Sequence, residues 1–136
     1  MMKVVIDTNI IIASISSRSQ FRVIIDQLFA GRFQMVVSAE ILLEYEEKIG
    51  EIFSTETAEN FINALLLLPH VIRTEPLFFS KLLHDEEDNK FLDIYYASMA
   101  DYLVTNDRHF NILKKIKLPV HHLLNVSQFV KILNEK

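Results

Sequence analysis

The apolar residues of this chain fall into short blocks of two kinds. Lys3-Val4-Val5-Ile6, Met35-Val36-Val37 and Tyr102-Leu103-Val104-Thr105 are continuous runs rich in β-branched and aliphatic side chains, the pattern of strands buried on both faces. Val71-Ile72 and Val120-His121-His122-Leu123 are weaker runs of the same kind, the second introduced by Pro119. Between them the period changes to that of a helix. Phe21, Ile24, Ile25, Leu28 and Phe29 recur at spacings of three and four, as do Ile41, Leu42, Tyr45 and Ile49. Ser38 is placed to cap the second of these helices. Ser54 to Leu68, Phe91 to Met99, His109 to Ile116 and Ser127 to Leu133 complete the helical set. Strands alternating with helices predict an α/β fold, a three-layer α/β/α arrangement around a central, mainly parallel sheet of four or five strands.

Composition narrows the chemistry. The 136 residues suit one domain, 1–136, large enough to bury its own core. No cysteine is present, which removes disulfides, thiol nucleophiles and thiolate metal sites. Two glycines, Gly31 and Gly50, cannot build a phosphate-cradling loop or a dinucleotide fingerprint. Asp7 interrupts the apolar stretch that a secretory signal would need, and the run Ala64 to Leu68 is too short to cross a bilayer. A cytoplasmic protein without a membrane span is expected. The formal net charge of -4 argues against nucleic-acid binding through a basic field over the whole surface. It does not exclude a nuclease, because metal-dependent nucleases need clustered carboxylates whose charge the cation offsets.

The carboxylates fall where such a site would form. In open parallel sheets the reactive groups gather beyond the carboxyl ends of the strands. Asp7 follows the first strand directly, and Asp107 follows the Tyr102 to Thr105 strand after one residue. Helix or turn capping explains either one equally well. Asp85-Glu86-Glu87-Asp88 packs four acids before the apolar segment at Phe91, costly unless solvated, set at a helix N-terminus or met by a cation. Glu40, Glu44 and Glu47 share one polar helix face, and spacing alone does not choose among them.

The chain resembles a PIN domain, in the VapC-like branch that supplies toxins of type II toxin-antitoxin pairs. The resemblance runs nearly end to end and rests on four motifs in order: Val5-Ile6-Asp7-Thr8-Asn9, Ser38-Ala39-Glu40-Ile41-Leu42-Leu43-Glu44, Asp85 to Asp93, and Ala100-Asp101-Tyr102-Leu103-Val104-Thr105-Asn106-Asp107. It implies that Asp7, Glu44, Asp88 and Asp107 form an acidic quartet holding Mg²⁺ or Mn²⁺, with Asn9 and Thr105 supporting them. It likewise implies an endoribonuclease acting on single-stranded RNA, and a cognate antitoxin protein as partner. Three departures stand out. Asn106 replaces the glycine common in this branch, Tyr95 and Tyr96 are bulkier than usual, and the third motif is more acidic, which makes Asp85 and Glu87 further candidates for the third ligand.

Oxygen ligands select hard cations, which lower the pKa of a bound water and offset charge on the phosphate. On this reading Asp7 and Asp107 fix the metal, Asp88 completes its shell, and Glu44 orients water or a second ion. Histidine offers no comparable site. His121 and His122 would point to opposite faces of one strand, and His109 reads as a capping or surface group. Arg108, Lys114, Lys115 and Lys117, and separately Arg18 and Arg22, are candidates for an RNA path. Phe78 and Phe79 suggest an interface, either for the antitoxin or in a homodimer. The competing reading is a catalytically inactive PIN-fold interaction module. An aspartyl phosphatase would need a second aspartate where Asn9 stands.

Overall fold

The computed structural model describes residues 1–76, 86–115 and 122–135, with the side chains of 86–88 and 112–115 outside that description. Five strands form one sheet: β1 (Lys3–Ile6), β2 (Gln34–Val37), β3 (Val71–Arg73), β4 (Tyr102–Val104) and β5 (Leu123–Leu124). The order is β3-β2-β1-β4-β5 and every observed pairing is parallel. Val4, Val5 and Ile6 in β1 are fully buried, as are Met35, Val36 and Val37 in β2. This is why both strands read as unbroken apolar runs.

Six α-helices cover the sheet among the described residues: α1 (Thr8–Ser14), α2 (Arg22–Phe29), α3 (Ala39–Ile52), α4 (Thr55–Leu66), α5 (Glu86–Ser98) and α6 (Val126–Asn134). The steps β1 to β2 to β3 run one way across the sheet, and the return from β3 to β4 runs the other. Right-handed crossovers therefore set α1 to α4 on one face and α5 on the opposite one. α5 lies against β1, β2 and β4, and α6 packs on α2 and β5. Phe33 and Phe129 meet edge to face, with ring centroids 5.3 Å apart, at the α6 end of this core. Ser38 caps α3 by accepting from the Ile41 N–H at 3.1 Å, as its position in the sequence suggests. Ser54 does the same for α4 with Thr57 at 3.0 Å.

Several elements differ from the pattern-based expectation. α1 is not announced by periodicity, because Ile10, Ile11 and Ile12 stand in a row and β-branched residues are weak helix formers. It forms because Ile10 and Ile11 are buried against the core, while the Ser14 hydroxyl donates to the Ile10 carbonyl at 2.6 Å. α5 begins at Glu86, five residues before Phe91, so Glu86, Glu87 and Asp88 fall in its first turn, where the helix dipole favours negative charge. The segment from His109 is a 3-10 helix over Arg108–Lys115 instead of an α-helix. The last strand is Leu123–Leu124, and His122 precedes it. Phe78, Phe79, His84, Asp85, Lys117, Val120 and His121 lie outside the described residues.

Candidate active site

β1 and β4 are neighbours, with Ile6 opposite Val104. The chain leaves β1 toward β2 on one side and leaves β4 toward β5 on the other. Loops that part in this way open a crevice at the carboxyl edge of the sheet. Asp7 and Asp107 stand on its two sides. The Asp7 N–H donates to the Val104 carbonyl at 2.9 Å, extending the ladder by one residue and fixing the Asp7 backbone against β4.

Thr105 ties the two acids together. Its buried hydroxyl donates to Asp7 Oδ2 at 2.7 Å and accepts the backbone N–H of Asp107 at 3.0 Å. A hydroxyl has one proton, and the Asp107 N–H is itself a donor, so that proton points at the Asp7 carboxylate. Asp107 Oδ1 in turn accepts the His109 N–H at 2.9 Å, and the His109 Nδ1 lies 3.3 Å from the same oxygen. Asp107 therefore caps the start of the 3-10 helix as well as facing the crevice.

Glu44 reaches the same region from α3. It is half-buried, whereas Glu40 and Glu47 are exposed. The Thr8 hydroxyl donates to Glu44 Oε2. Lys90 from α5 places its Nζ 2.8 Å from Glu44 Oε1, with side-chain exposures of 16% for the lysine and 13% for the glutamate. One residue along α3, the fully buried Tyr45 donates its hydroxyl to the Ile6 carbonyl at the end of β1. Burial first, then the carboxylates of Asp7 and Glu44, push the Tyr45 phenol well above its ordinary value of 10.0. Thr8 follows Asp7 directly in the chain, so its bond to Glu44 brings that carboxylate to the β1 end of the site.

Of the residues singled out in the sequence, Asp7, Thr105 and Asp107 are joined by hydrogen bonds, and Glu44 is bound by Thr8, the residue after Asp7. Asn9, second in α1, is exposed. Asp85 and the side chains of Glu87 and Asp88 lie outside the described residues. Arg22 pairs with Asp26 at 3.2 Å on the outer face of α2. Lys90, Thr8 and the Tyr45 hydroxyl were not singled out. Thr8 and Lys90 do lie within the motifs that flag their neighbours, which was the available signal. Asp93, the last residue of the acidic motif, is buried on α5 together with Asn89. Burial, then Tyr95 and Asp93, raise the Tyr96 phenol from its ordinary value of 10.0.

The donor set fits a hard divalent cation. Every candidate ligand is a carboxylate oxygen, and Mg²⁺ is commonly held by one or two carboxylates with water and phosphate filling its remaining positions. Asp7 and Asp107, held in register by Thr105, meet that requirement. Among the described residues no three acidic or histidine side chains gather closely enough to hold one ion by themselves. Beside Asp107 a hollow of about 300 Å³ is lined by Asn106, Arg108, Asn111, Asn125 and Gln128, among others. The Asn106 Oδ1 accepts the Val126 N–H at 2.9 Å, and Asn125 and Gln128 accept from each other's backbone N–H at 2.8 and 2.9 Å in a capping box. Each of these oxygens keeps a second lone pair, and each amide carries an NH₂ donor besides.

A family model described as a PIN domain matches residues 3–109. No curated protein sequence matches this one. Among solved structures, the fold is similar to that of a chain in the crystal structure of VapBC2 from Rickettsia felis bound to a DNA fragment from their promoter. The TM-score is 0.63 and the identity 20%, over 91% of this chain and 98% of that one.

Proposed function

The chain belongs to the PIN-domain family, and from that premise we propose that it is a metal-dependent endoribonuclease that hydrolyses single-stranded RNA as the toxin of a toxin-antitoxin pair. The observation that carries this reading is the Thr105 hydroxyl, which binds the carboxylate of Asp7 and the backbone of Asp107 at once. A residue that served only to cap a turn would not need to join two strand-end acids.

Asp7 and Asp107 would hold Mg²⁺ or Mn²⁺, with Asp88 as third carboxylate and Asp85 or Glu87 sharing that role. Such a cation, when bound, neutralises phosphate charge and lowers the pKa of a coordinated water. The chain itself does the positioning. Thr105 keeps both acids at a fixed spacing, and Asn9 supports the crevice from α1. Glu44, held by Thr8 and Lys90, presents its charge from the far side and orients the attacking water. The amide-lined hollow beside Asp107, with Arg108 on its wall, suits the phosphates and base edges of an RNA strand.

An antitoxin partner belongs to the same reading, because the VapBC2 structure is similar in fold. A groove of about 560 Å³ along α3 and the start of α4, lined by Leu43, Glu46, Glu47 and Glu51, would accept a segment that is apolar and basic. Leu43 itself is 67% exposed. A homodimer and a cytoplasmic location complete the proposal. No helix among the described residues is long and apolar enough to cross a membrane.

The test is cleavage of a fluorogenic single-stranded RNA by pure protein in Mn²⁺ and in chelator. Activity is expected only with metal, and Asp7→Asn and Asp107→Asn are expected to lose it by at least about a hundredfold while melting cooperatively. Cleavage by neither wild type nor any variant, with or without metal, would favour the catalytically inactive interaction module.

A further inference from the structure

We propose that Lys90 is a built-in cation of this site, occupying Glu44 so that the crevice takes one divalent ion, on the Asp7 and Asp107 side, and excludes a second. The inference rests on the metal-dependent reading above. Three observations carry it. Both oxygens of Glu44 are engaged by protein donors, Oε2 by the Thr8 hydroxyl and Oε1 by the Lys90 ammonium at 2.8 Å. The pair is largely withdrawn from water, at 16% and 13% exposure, so it is not one of the loosely held surface pairs that contribute little. Third, Asp7 and Asp107 form a separate unit joined through Thr105, and Lys90 makes no contact with either among the described residues.

Coulomb's law supplies the exclusion. A divalent ion on either Glu44 oxygen would stand within about 5 Å of the ammonium, at a place where screening by water is reduced. The repulsion cancels roughly two-fifths of the attraction to a carboxylate oxygen about 2 Å away, and the remainder does not repay the reluctant dehydration of the ion unless Lys90 swings away. Leaving is costly for Lys90, since it would strip a partly buried carboxylate of its counter-charge. Burial does not block metal access. A hollow of about 190 Å³ lined by Glu40, Leu43, Glu44, Glu47, Lys48 and Lys90 opens onto the pair. A second ion is kept out by charge, not by shape. Glu44 is accordingly a positioning residue and not a metal ligand. The lysine, a compact point charge with three donors, keeps N–H groups for a phosphate oxygen.

The experiment counts bound Mn²⁺ on chelator-stripped protein, by calorimetric titration and by electron paramagnetic resonance of the free ion. Wild type and Lys90→Arg are expected to bind one ion per chain, and Lys90→Met two, because Glu44 is then released. Lys90→Gln, which can keep an N–H donor for Glu44 but not the charge, is expected to bind two ions as well. This variant keeps the test decisive if Lys90→Met does not fold. Two ions on wild type, or one ion on a folded Lys90→Met or Lys90→Gln, would each overturn the proposal. Failure of wild type to bind any ion would instead refute the metal-dependent reading, so the two failures are distinguishable.

Discussion

Replacing Thr105 by valine removes one hydroxyl and keeps the side chain's shape, so it isolates the link between Asp7 and Asp107. Two hydrogen bonds disappear together, the 2.7 Å bond to the Asp7 carboxylate and the 3.0 Å bond from the Asp107 N–H. A bond to a charged acceptor is worth about 1.5–3 kcal/mol, and an N–H left unpaired in a partly buried place costs about 1 kcal/mol. The added methyl returns roughly 0.8 kcal/mol of burial. The net loss is therefore about 2–3 kcal/mol in chelator. With an unfolding entropy of ~2.1 cal/mol/K per residue, 136 residues give ~0.29 kcal/mol/K, so Tm should fall by roughly 7–10 °C. Thr105→Ser keeps the hydroxyl and loses a methyl, which costs about 1 kcal/mol. Urea unfolding in chelator would rank the three proteins as wild type, serine, valine. Titration with Mn²⁺ should show valine weaker by about 10- to 100-fold, as expected when a group that orients a ligand is lost. Valine as stable as serine, with wild-type Mn²⁺ affinity, would show that the hydroxyl organises nothing.

Glu44→Gln should reduce RNA cleavage by tenfold or more beyond Glu40→Gln or Glu47→Gln, because only Glu44 is turned inward onto Thr8 and Lys90; steady-state rates on one RNA decide it, and equal effects at the three positions would reject the assignment. Tyr45→Phe should cost about 1–2 kcal/mol near neutral pH, since the Ile6 carbonyl loses a buried donor. The pH dependence has a definite sign. The folded phenol titrates above the unfolded value of 10.0, so its contribution is complete below pH 10 and is lost as pH rises through the folded value. The stability gap between wild type and Tyr45→Phe should therefore narrow from pH 9 to pH 11 in urea titrations, and a constant gap would mean that the phenol does not hold its proton in the fold.

Strand ends were readable because the strands were. Val4-Val5-Ile6 and Leu103-Val104 are buried on both faces, so their continuous apolar pattern survives without an alignment and carries the positions of Asp7 and Asp107 with it. The helix face bearing Glu44 was readable only as a face. Periodicity cannot tell a glutamate turned onto another helix from two that meet water. The resemblance to a family selected Glu44, and the contact that sets it apart comes from Lys90, in an element far along the chain. Tyr45 shows the same limit from the other side: its spacing marks it as core, which it is, but says nothing of a hydroxyl aimed at the Ile6 carbonyl. α1 escaped because three consecutive isoleucines favour extended backbone locally and tertiary burial outweighs that preference.

Carboxylates gathered at one crevice repel unless something answers each of them, and the answers here are not equal. Thr105 gives Asp7 a neutral hydroxyl, and His109 gives Asp107 a backbone N–H with a ring beside it. Lys90 gives Glu44 a full positive charge. The Glu44 side is thus near balance before any ion arrives. The Asp7 and Asp107 side sits on two adjacent strand ends joined by the Asp7 N–H to Val104 bond. A cation gains most where ligand positions are already fixed. On the proposed reading the strand ends that fix Asp7 and Asp107 would hold the metal, and Glu44, paired with Lys90, would keep a fixed charge opposite it, an arrangement suited to positioning a phosphodiester between them.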